Sequence, residues 1–459
     1  MNRETIRDIV ILASVAACIL FINLGAGSLS SWDEAFYAQV SREILESNNW
    51  IDLTWYGDQW YDKPPLYMWG TVLSYKLFGV SEFSARFFSA LSGVGIVILV
   101  YLMGGHLFSR KTGFLAAVMA MSTYHMIWLA KAGTLDVTLT FFLLFSAYCF
   151  LRARDNPAWF VPSFITFALA FMTKGIVAVI APIMFGVYLL MTGEWKIVLT
   201  RYMLMGMAAA LLVLSLWYYP AISHYGKPFL EGHFLANLIG RTAGALDGHH
   251  GNWLTYINVI LYKGKPWGTA GLVIFPFFVF NTLIRKNKQN CLLISWVVVV
   301  ILLFTVAKTK LHWYIIPVYP PLMIIAGWGA RKVFRQYATV IVVALALMSV
   351  VYFGMNKDIF ALDYNPQIKD FSERIEKESA AGKKVYLYDI GDPGMRFYFG
   401  GFGERVDSYN ELSGLVKGKD AVVVAPRGHA EELMKKGEII NSESGHFSAG
   451  IFKEGEDKI

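Results

Sequence analysis

The chain has 459 residues, of which 56% are hydrophobic and only 16% are charged, against roughly 25% charged residues in an ordinary soluble domain. This composition excludes a disordered chain, a nucleic-acid-binding tail protein and a typical cytosolic enzyme. The net charge of +7 is typical of a membrane protein oriented by basic loops, and it also suits an anionic, lipid-linked substrate.

Charge-poor runs long enough to cross about 30 Å of hydrocarbon recur along the chain. They predict about eleven transmembrane helices, at residues 9–29, 87–105, 112–130, 132–151, 156–173, 175–193, 202–223, 266–284, 289–307, 311–330 and 336–356. The first run is too long for a signal peptide and lacks a small-residue cleavage site, so we expect a retained anchor. The predicted fold class is an all-α polytopic membrane protein with a small soluble α/β domain at its C-terminus.

Basic residues are dense in the short connections on one side of these helices. They are Arg3, Arg7, Arg110, Lys111, Arg152, Arg154, Lys196, Arg201, Arg285, Lys286, Lys288, Arg331, Lys332 and Arg335. This side, with the N-terminus, is predicted to be cytoplasmic. The opposite face then carries long loops at 30–86 and 224–265. It also carries a cationic set: Lys63, Lys131, Lys174, Arg241, Lys308 and Lys310. Each lysine could extend to lipid headgroups, but together they suggest a bound anion.

The chain is predicted to divide into a transmembrane part, residues 1–356, and an outer α/β domain, residues 357–459. Within the first long loop, apolar spacing predicts an amphipathic helix over Tyr37–Leu45, and 64–75 is apolar but too short to span. Beyond 357, strands are predicted at Val385–Ile390 and Ala421–Ala425, with helices at 367–380 and 429–436. This part carries no nucleotide-binding or triad motif, which favours a cap or an acceptor-docking module.

Three carboxylates are candidates for chemistry. Asp33 and Glu34 follow the first span directly and could act as a general base, hold a metal, or cap the next helix. Asp136 lies a few residues into the fourth span, where a carboxylate needs a partner. Its candidate partners are Lys131, Lys63 and the surroundings of Asp33.

The remaining candidates are cations, histidines and one tyrosine. In Asp62-Lys63-Pro64-Pro65 the prolines stiffen the backbone around Lys63. Lys174 in Thr173-Lys174-Gly175 is predicted to begin a helix, a position that favours anions. Asp62 and His233 could hold a divalent metal, although the histidine spacing matches no strong metal motif. His249, His250, Lys308, Lys310 and Tyr314 are candidate substrate contacts.

Several motifs resemble those of one family, in that family's order over residues 1–330. They are WDEAFYAQVSREIL (32–45), DKPPLYMW (62–69), SARFFSALSG (84–93), LDVTLTFF (135–142), TKG (173–175), LEGHFLANLIGR (230–241), GHHGNWLTYI (248–257) and KTKLHWYIIPVYPPL (308–322). The chain resembles the C-superfamily glycosyltransferases that use polyprenyl-phosphate-linked sugars, among them the lipid A aminoarabinose transferase and the protein O-mannosyltransferases. Residues 357–459 carry no comparable match.

The resemblance implies a role for each motif residue. Asp33 would be the catalytic acid/base with Glu34 nearby, and Asp136 a second acid close to the site. Lys63, Lys174 and Arg241 would bind the donor phosphate. Some relatives pair a glutamate before the K-P-P lysine with a loop histidine around a metal. Here Asp62 and His233 occupy those places, and the shorter aspartate weakens the case for a metal.

We therefore expect an inverting glycosyltransferase in a bacterial or archaeal cytoplasmic membrane, with its active site on the outer face. Its partners would be a polyprenyl-phosphate sugar donor, a lipid, glycan or protein acceptor, and the bilayer, with no nucleic acid. The rival interpretations are a transporter or flippase for a charged lipid, which predicts inverted repeats and broken helices at mid-membrane, and a non-catalytic assembly subunit.

Overall fold

The computed structural model describes residues 2–240, 251–356, 359, 361–364, 366–416, 421–426, 429, 438–441 and 447–452. Up to residue 356 these are almost entirely helical. The helices are α1 Arg3–Phe21, α2 Asp33–Ser47, α3 Leu66–Phe78, α4 Glu82–Leu107, α5 Arg110–Met121, α6 Tyr124–Lys131, α7 Leu135–Ala153, α8 Phe160–Lys174, α9 Ile180–Thr192, α10 Arg201–Tyr225, α11 Lys227–Leu230, α12 (a π-helix) Glu231–Gly240, α13 Thr255–Lys263, α14 Trp267–Arg285, α15 Cys291–Val306, α16 Tyr319–Phe334 and α17 Ala338–Asn356.

Seven helical segments of the described chain are long and apolar enough to cross a membrane, or eight if α5 and α6, bent by 62°, form one span. Two segments, Pro157–Thr192 and His312–Met355, each contain two of the predicted spans. The predicted first span corresponds to α1, which carries four charges near its N-terminus and is therefore not apolar enough by composition alone. The chain is a multi-pass, mostly helical membrane protein.

The main apolar core forms around α4, which packs against α1, α5 and α7. Small residues let these helices approach closely, because a Cβ on Gly104 of α4 would lie 3.0 Å from the Gly113 Cα of α5. Close backbone approach of this kind is a common way for helices to associate in lipid, where the hydrophobic effect between helices is weak.

The first long loop is structured. Its helix α2 contains the predicted amphipathic segment and buries Tyr37, Val40 and Ile44 on one face. A two-stranded hairpin, β1 Thr54–Trp55 and β2 Asp58–Gln59, follows. Helix α3 has 13 residues, too few to span the bilayer, and packs against α2 and α4. This arrangement places the start of α2 at one end of the helical bundle.

The C-terminal region, defined here as the described residues from 361 onward, contains a five-stranded sheet of order β4-β3-β5-β7-β6. Its elements are α18 Pro366–Ala380, β3 Lys384–Tyr388, α19 Pro393–Phe399, β4 Gly403–Val406, α20 Tyr409–Val416, β5 Ala421–Pro426, β6 Glu438–Asn441 and β7 Phe447–Phe452. Strand β3 is parallel to β4 and β5, whereas β7 runs antiparallel to β5 and β6. Strands β3 and β5 and helix α18 lie where they were predicted. Residues 430–436 of the predicted helix 429–436 lie outside the described residues.

Candidate active site

Asp33 is the first residue of α2 and is half-buried, beside the exposed Trp32. Negative side chains in the first turn of a helix are stabilised by the positive end of its dipole. Among the described residues, no side chain forms a hydrogen bond or an ion pair with the Asp33 carboxylate. A carboxylate that is partly shielded and still unpaired is available to accept a proton or a hydrogen bond from a bound molecule.

Glu34, the neighbouring residue, is in a different environment. Its side chain is 2% exposed, and Arg86 of α4 donates to its Oε1 at 2.7 Å. The backbone N–H groups of Ser30 and Gly133 also donate to this carboxylate, each at 2.8 Å. These contacts occupy its oxygens and join the first loop to α4 and to the turn before α7, which favours a structural role; the expected catalytic role of Glu34 stays a prediction.

Asp136 pairs with Lys174, and the distance between its Oδ1 and the lysine Nζ is 2.5 Å. Neither Lys131 nor Lys63, two of the partners considered from the sequence, takes this place. Lys174 does not begin a helix as predicted: it is the last residue of α8, where a cation complements the negative end of the helix dipole. Its ammonium group also lies 4.9 Å from the centre of the Tyr314 ring.

Lys63 joins this group of charges. Its side chain is buried, and its Nζ lies 3.8 Å from the Asp62 carboxylate and 3.2 Å from the Asp62 carbonyl oxygen. Gly175 has a φ of +59°, which favours glycine, and an added Cβ would lie 3.8 Å from the Pro64 ring. The K-P-P and T-K-G motifs are thus in contact, although 110 residues separate Lys63 from Thr173 in the sequence.

Three charged residues act electrostatically on Asp136. Lys174 interacts with it most strongly, and Asp33 and Lys63 also act on it. Four of the residues singled out in the sequence therefore converge on one place: Asp33, Lys63, Asp136 and Lys174. We call these four residues the charged cluster.

Other predicted contacts lie elsewhere or serve another purpose. Lys131 is 1% exposed and donates to the Ile22 carbonyl at 2.5 Å, just beyond the end of α1. Lys310 caps the C-terminus of α15 by donating to three carbonyl oxygens, Phe304, Thr305 and Ala307. Both ammonium groups thus already have backbone partners, and their roles as substrate contacts stay predictions. Lys308 is exposed. Arg241, His249 and His250 lie outside the described residues.

His233 lies close enough to Asp62 for the two charges to interact, and its ring nitrogens also have other partners, so the possible metal site at these two residues stays a prediction. The Tyr61 carbonyl lies 2.6 Å from its Nδ1 and can only accept, so Nδ1 carries the proton. Nε2 lies 3.0 Å from the Tyr218 hydroxyl and accepts from it, which occupies the remaining lone pair. Burial lowers the pKa of His233 and favours this neutral form. No group of three metal-ligating side chains occurs within the described ranges.

Sequence reasoning missed two polar groups. Arg86 was available as a signal, since it is a cation at the beginning of an apolar helix, where it requires a partner. The second is a chain of hydrogen bonds between side chains: His125 Nε2 contacts His312 Nδ1 at 3.1 Å, and His125 Nδ1 contacts the Tyr319 hydroxyl at 2.9 Å. No local sequence pattern brings these residues together, because His312 follows His125 by 187 positions.

Comparisons with known proteins show which sequences and folds this chain is similar to. Residues 62–219 match the family model described as dolichyl-phosphate-mannose-protein mannosyltransferase. A protein of Aquifex aeolicus is 29% identical over 386 residues, covering 83% of this chain and 85% of that protein. An undecaprenyl phosphate-alpha-4-amino-4-deoxy-L-arabinose arabinosyl transferase of Shewanella sediminis is 27% identical over 348 residues, covering 74% of this chain and 62% of the relative. The chain thus spans about three-fifths of that enzyme.

Solved structures share the fold. The crystal structure of ArnT from Cupriavidus metallidurans bound to undecaprenyl phosphate superposes with a TM-score of 0.80, at 20% identity, over 96% of this chain and 97% of that chain. The archaeal oligosaccharyltransferase AglB from Archaeoglobus fulgidus gives a TM-score of 0.60, at 13% identity, over 100% of this chain and 75% of that chain. The solved structures show a shared fold, and the sequence matches add named transferases: the chain is a membrane glycosyltransferase that is similar to the polyprenyl-phosphate-sugar-dependent enzymes of the C superfamily.

Proposed function

We propose that this enzyme transfers a sugar from a polyprenyl-phosphate carrier to an acceptor hydroxyl or phosphate, and that the charged cluster is its active site. The observation that carries the proposal is the unpaired, half-buried carboxylate of Asp33, which interacts electrostatically with Asp136 of the buried Asp136–Lys174 pair, as Lys63 does too. Buried charges are costly unless they are paired or bind a ligand. A site with one unpaired carboxylate and two cations suits a reaction in which the carboxylate accepts a proton while the cations bind a phosphate.

Lys63 and Lys174 are the proposed ligands of the donor phosphate. Each ammonium group has three N–H donors. Asp136 holds Lys174 in place through one contact, which leaves further donors for phosphate oxygens. Arg241, which the family resemblance implies as a third ligand, lies outside the described residues. Because the site is shielded from water, the attraction between these cations and a phosphate is stronger than it would be in solution.

The proposed reaction is a direct displacement. The acceptor oxygen forms a bond to the anomeric carbon while the bond between that carbon and the phosphate oxygen breaks. The electron pair of the broken bond stays on the phosphate oxygen, where Lys63 and Lys174 stabilise the developing charge. Asp33 accepts the proton of an acceptor hydroxyl, or orients an acceptor that is already anionic. Attack from the face opposite the leaving group inverts the anomeric centre.

The donor carrier is proposed from the named relatives. The arabinosyl transferases that match this chain carry undecaprenyl phosphate in their names, and the ArnT structure holds undecaprenyl phosphate. We infer the same class of carrier here. The acceptor belongs to one of three classes, a lipid such as lipid A, a glycan or a protein.

The membrane topology is also part of the proposal. Arg110 at the start of α5 donates to Asp8 near the start of α1 at 2.6 Å, which places these two helix ends on one side. The charged cluster lies beyond the opposite end of α1. We propose eleven crossings in a cytoplasmic membrane, with the N-terminus inside and the active site outside. The transmembrane part would be residues 1–356, and residues 357–459 would form an α/β domain on the outer face.

The direct experiment is mass spectrometry of the cell envelope from cells with and without the gene. Loss of a pentose, hexose or amino-sugar mass in the deleted strain would identify both sugar and acceptor. Complementation with wild type should restore that mass, whereas Asp33→Asn and Lys63→Ala should not. Asp370→Asn and Lys111→Ala are matched controls, because both residues are exposed and lie outside the charged cluster. Restoration by Asp33→Asn at the wild-type level would refute the proposed role of Asp33.

A further inference from the structure

The loop that leads to Asp33 is held by hydrogen bonds to its backbone. Arg86 donates to the Gly27 and Ser28 carbonyls at 3.0 and 2.8 Å. Glu34 accepts from the Ser30 N–H at 2.8 Å. These contacts come from helices α2 and α4 of the transmembrane part, and they hold the loop against these helices. Since Asp33 follows Ser30 by only three positions, the path of this loop sets the position of its carboxylate.

The C-terminal region supplies the remaining contacts to this loop. The Oδ1 atom of Asp363 accepts both the backbone N–H of Ser28, at 3.0 Å, and its hydroxyl, at 2.6 Å. The Tyr398 hydroxyl accepts the N–H of Leu29 at 2.9 Å. The three successive N–H groups of Ser28, Leu29 and Ser30 are therefore bound, two of them by side chains that lie more than 330 residues further along the chain.

Tyr398 also connects the loop to α4. While its oxygen accepts from Leu29, its O–H donates to Glu82 in the first turn of α4 at 3.1 Å. Glu82 forms a second contact with the C-terminal region, an ion pair of 2.7 Å with Lys369. The Tyr398 hydroxyl thus joins two segments of the transmembrane part, the first loop and the beginning of α4. A domain that only covered the membrane part would not require such directed hydrogen bonds.

Helix α19 reinforces this docking. It packs along α2, and Arg42 of α2 donates to the Phe397 carbonyl at 3.2 Å. A Cβ on Gly401 would overlap the Arg42 guanidinium, and one on Gly27 would overlap the backbone at Leu362. Both glycines permit close approach of the C-terminal region to the helix and the loop on either side of Asp33.

We propose that Asp363 and Tyr398 are positioning residues for the transfer reaction, and that the C-terminal region orders the loop that carries Asp33. This inference rests on the proposed function, because it requires Asp33 to act in catalysis. Displacement of a catalytic group by about 1 Å can lower a rate about a hundredfold. Asp363 and Tyr398 do not belong to the charged cluster, so their loss should lower kcat and leave donor binding intact.

The test uses four variants of the full-length protein purified in detergent. Asp363→Ala and Tyr398→Phe remove contacts to the loop, and both should lower kcat by about tenfold to a hundredfold with an unchanged KM for the donor. Asp363→Asn should keep near wild-type activity, because both hydrogen bonds end on one oxygen, which an amide can supply. Lys369→Met is the matched control, since it breaks a contact of the same interface through Glu82 without touching the loop.

Hydrogen exchange of the Ser28 and Leu29 amides provides a second readout that does not depend on activity. Exchange should become faster in Asp363→Ala and Tyr398→Phe, and should stay slow in Lys369→Met. Unchanged exchange, or faster exchange with an unchanged kcat, would overturn the inference. An equal loss of kcat in Lys369→Met would overturn it too, because general docking would then be the cause. Failure of the proposed function is distinguishable, since it would appear as an active Asp33→Asn enzyme.

Discussion

Charged residues gather at both ends of the helical bundle, and the two groups differ in how they are paired. At one end, Arg110 forms hydrogen bonds of 2.6 and 2.8 Å with Asp8, and it also contacts Glu4. At the other end, the Asp33 carboxylate has no partner among the described residues, although two lysines are close by. Matched charges at a helix end can be explained by stability alone, whereas an unmatched carboxylate next to buried cations indicates a binding site.

The largest difference between the two ends should appear in the transfer rate. Asp33→Asn removes the proposed proton acceptor, so kcat should fall about 10²- to 10⁴-fold, the usual contribution of a general base. The measurement is transfer from a synthetic polyprenyl-phosphate sugar by purified protein, with the midpoint of thermal unfolding as a check on folding. A variant with more than half of the wild-type kcat would leave Asp33 without a catalytic role.

The neighbouring carboxylate should respond in another way. Glu34→Gln leaves the Arg86 guanidinium buried without a negative partner, which costs about 3–5 kcal/mol of folding free energy. We expect poor yield and a lowered unfolding midpoint, while the folded fraction keeps measurable transfer. Thermal unfolding and active-site titration of the same sample separate the two effects. Normal stability with abolished transfer would instead show that Glu34 acts in catalysis.

The pairing of Asp136 with Lys174 predicts that their substitutions are not additive. Asp136→Asn frees Lys174 to move, and Lys174→Met removes a phosphate ligand, so each change should lower kcat. In the double variant the combined loss should be smaller than the sum, with a coupling of about 1–3 kcal/mol in activation free energy. A double-mutant cycle on kcat measures this coupling. Additive losses would mean that the two side chains act independently.

At the opposite end, Asp8→Asn should affect stability and leave the reaction unchanged. The substitution weakens the charge-assisted hydrogen bonds to Arg110, whose guanidinium is in contact with solvent, so the loss of stability should be modest. We expect an unfolding midpoint a few degrees lower and a kcat equal to that of the wild type. A loss of kcat comparable to that of Asp33→Asn would contradict the distinction between the two ends.

The smallest expected effect concerns pH. Burial lowers the pKa of His233 below its usual 6.5, so the folded protein holds this ring neutral. Below pH 6.5 the unfolded chain binds a proton that the folded chain excludes, so stability falls as pH decreases from 6.5 towards the folded-state pKa. His233→Gln should show a smaller drop in unfolding midpoint between pH 7.5 and 5.5 than wild type. An identical drop in both proteins would show that His233 does not contribute.

Much of this fold follows from the sequence, because runs of apolar residues can only form helices in a bilayer. The convergence of Asp33, Lys63, Asp136 and Lys174 was predictable as well, since the first two and Lys174 lie in connections assigned to the same face and Asp136 lies near the beginning of the fourth predicted span. The ion pairs within this region, such as Asp136 with Lys174, were not predictable. Helices such as α4 and α7 are apolar on all sides, so their sequences do not show which face meets which neighbour.

Breaks within helices were a second limit of sequence reasoning. Lys174 was expected to begin a helix because an apolar run follows it, but Gly175 has a positive φ and continues into a 3-10 turn, Gly175–Val179. The contacts of Asp363 and Tyr398 with the first loop were beyond prediction too, because they depend on how the sheet of the C-terminal region docks.

The central claim is that cations of the charged cluster bind the carrier phosphate while Asp33 acts on the acceptor. Affinity for undecaprenyl phosphate, measured on purified wild type, Lys63→Ala and Asp33→Asn, tests this division most directly. We predict that Lys63→Ala binds at least tenfold more weakly, a loss of about 1.4 kcal/mol, and that Asp33→Asn binds as tightly as wild type. Equal affinity in all three proteins, or weaker binding only in Asp33→Asn, would contradict the account.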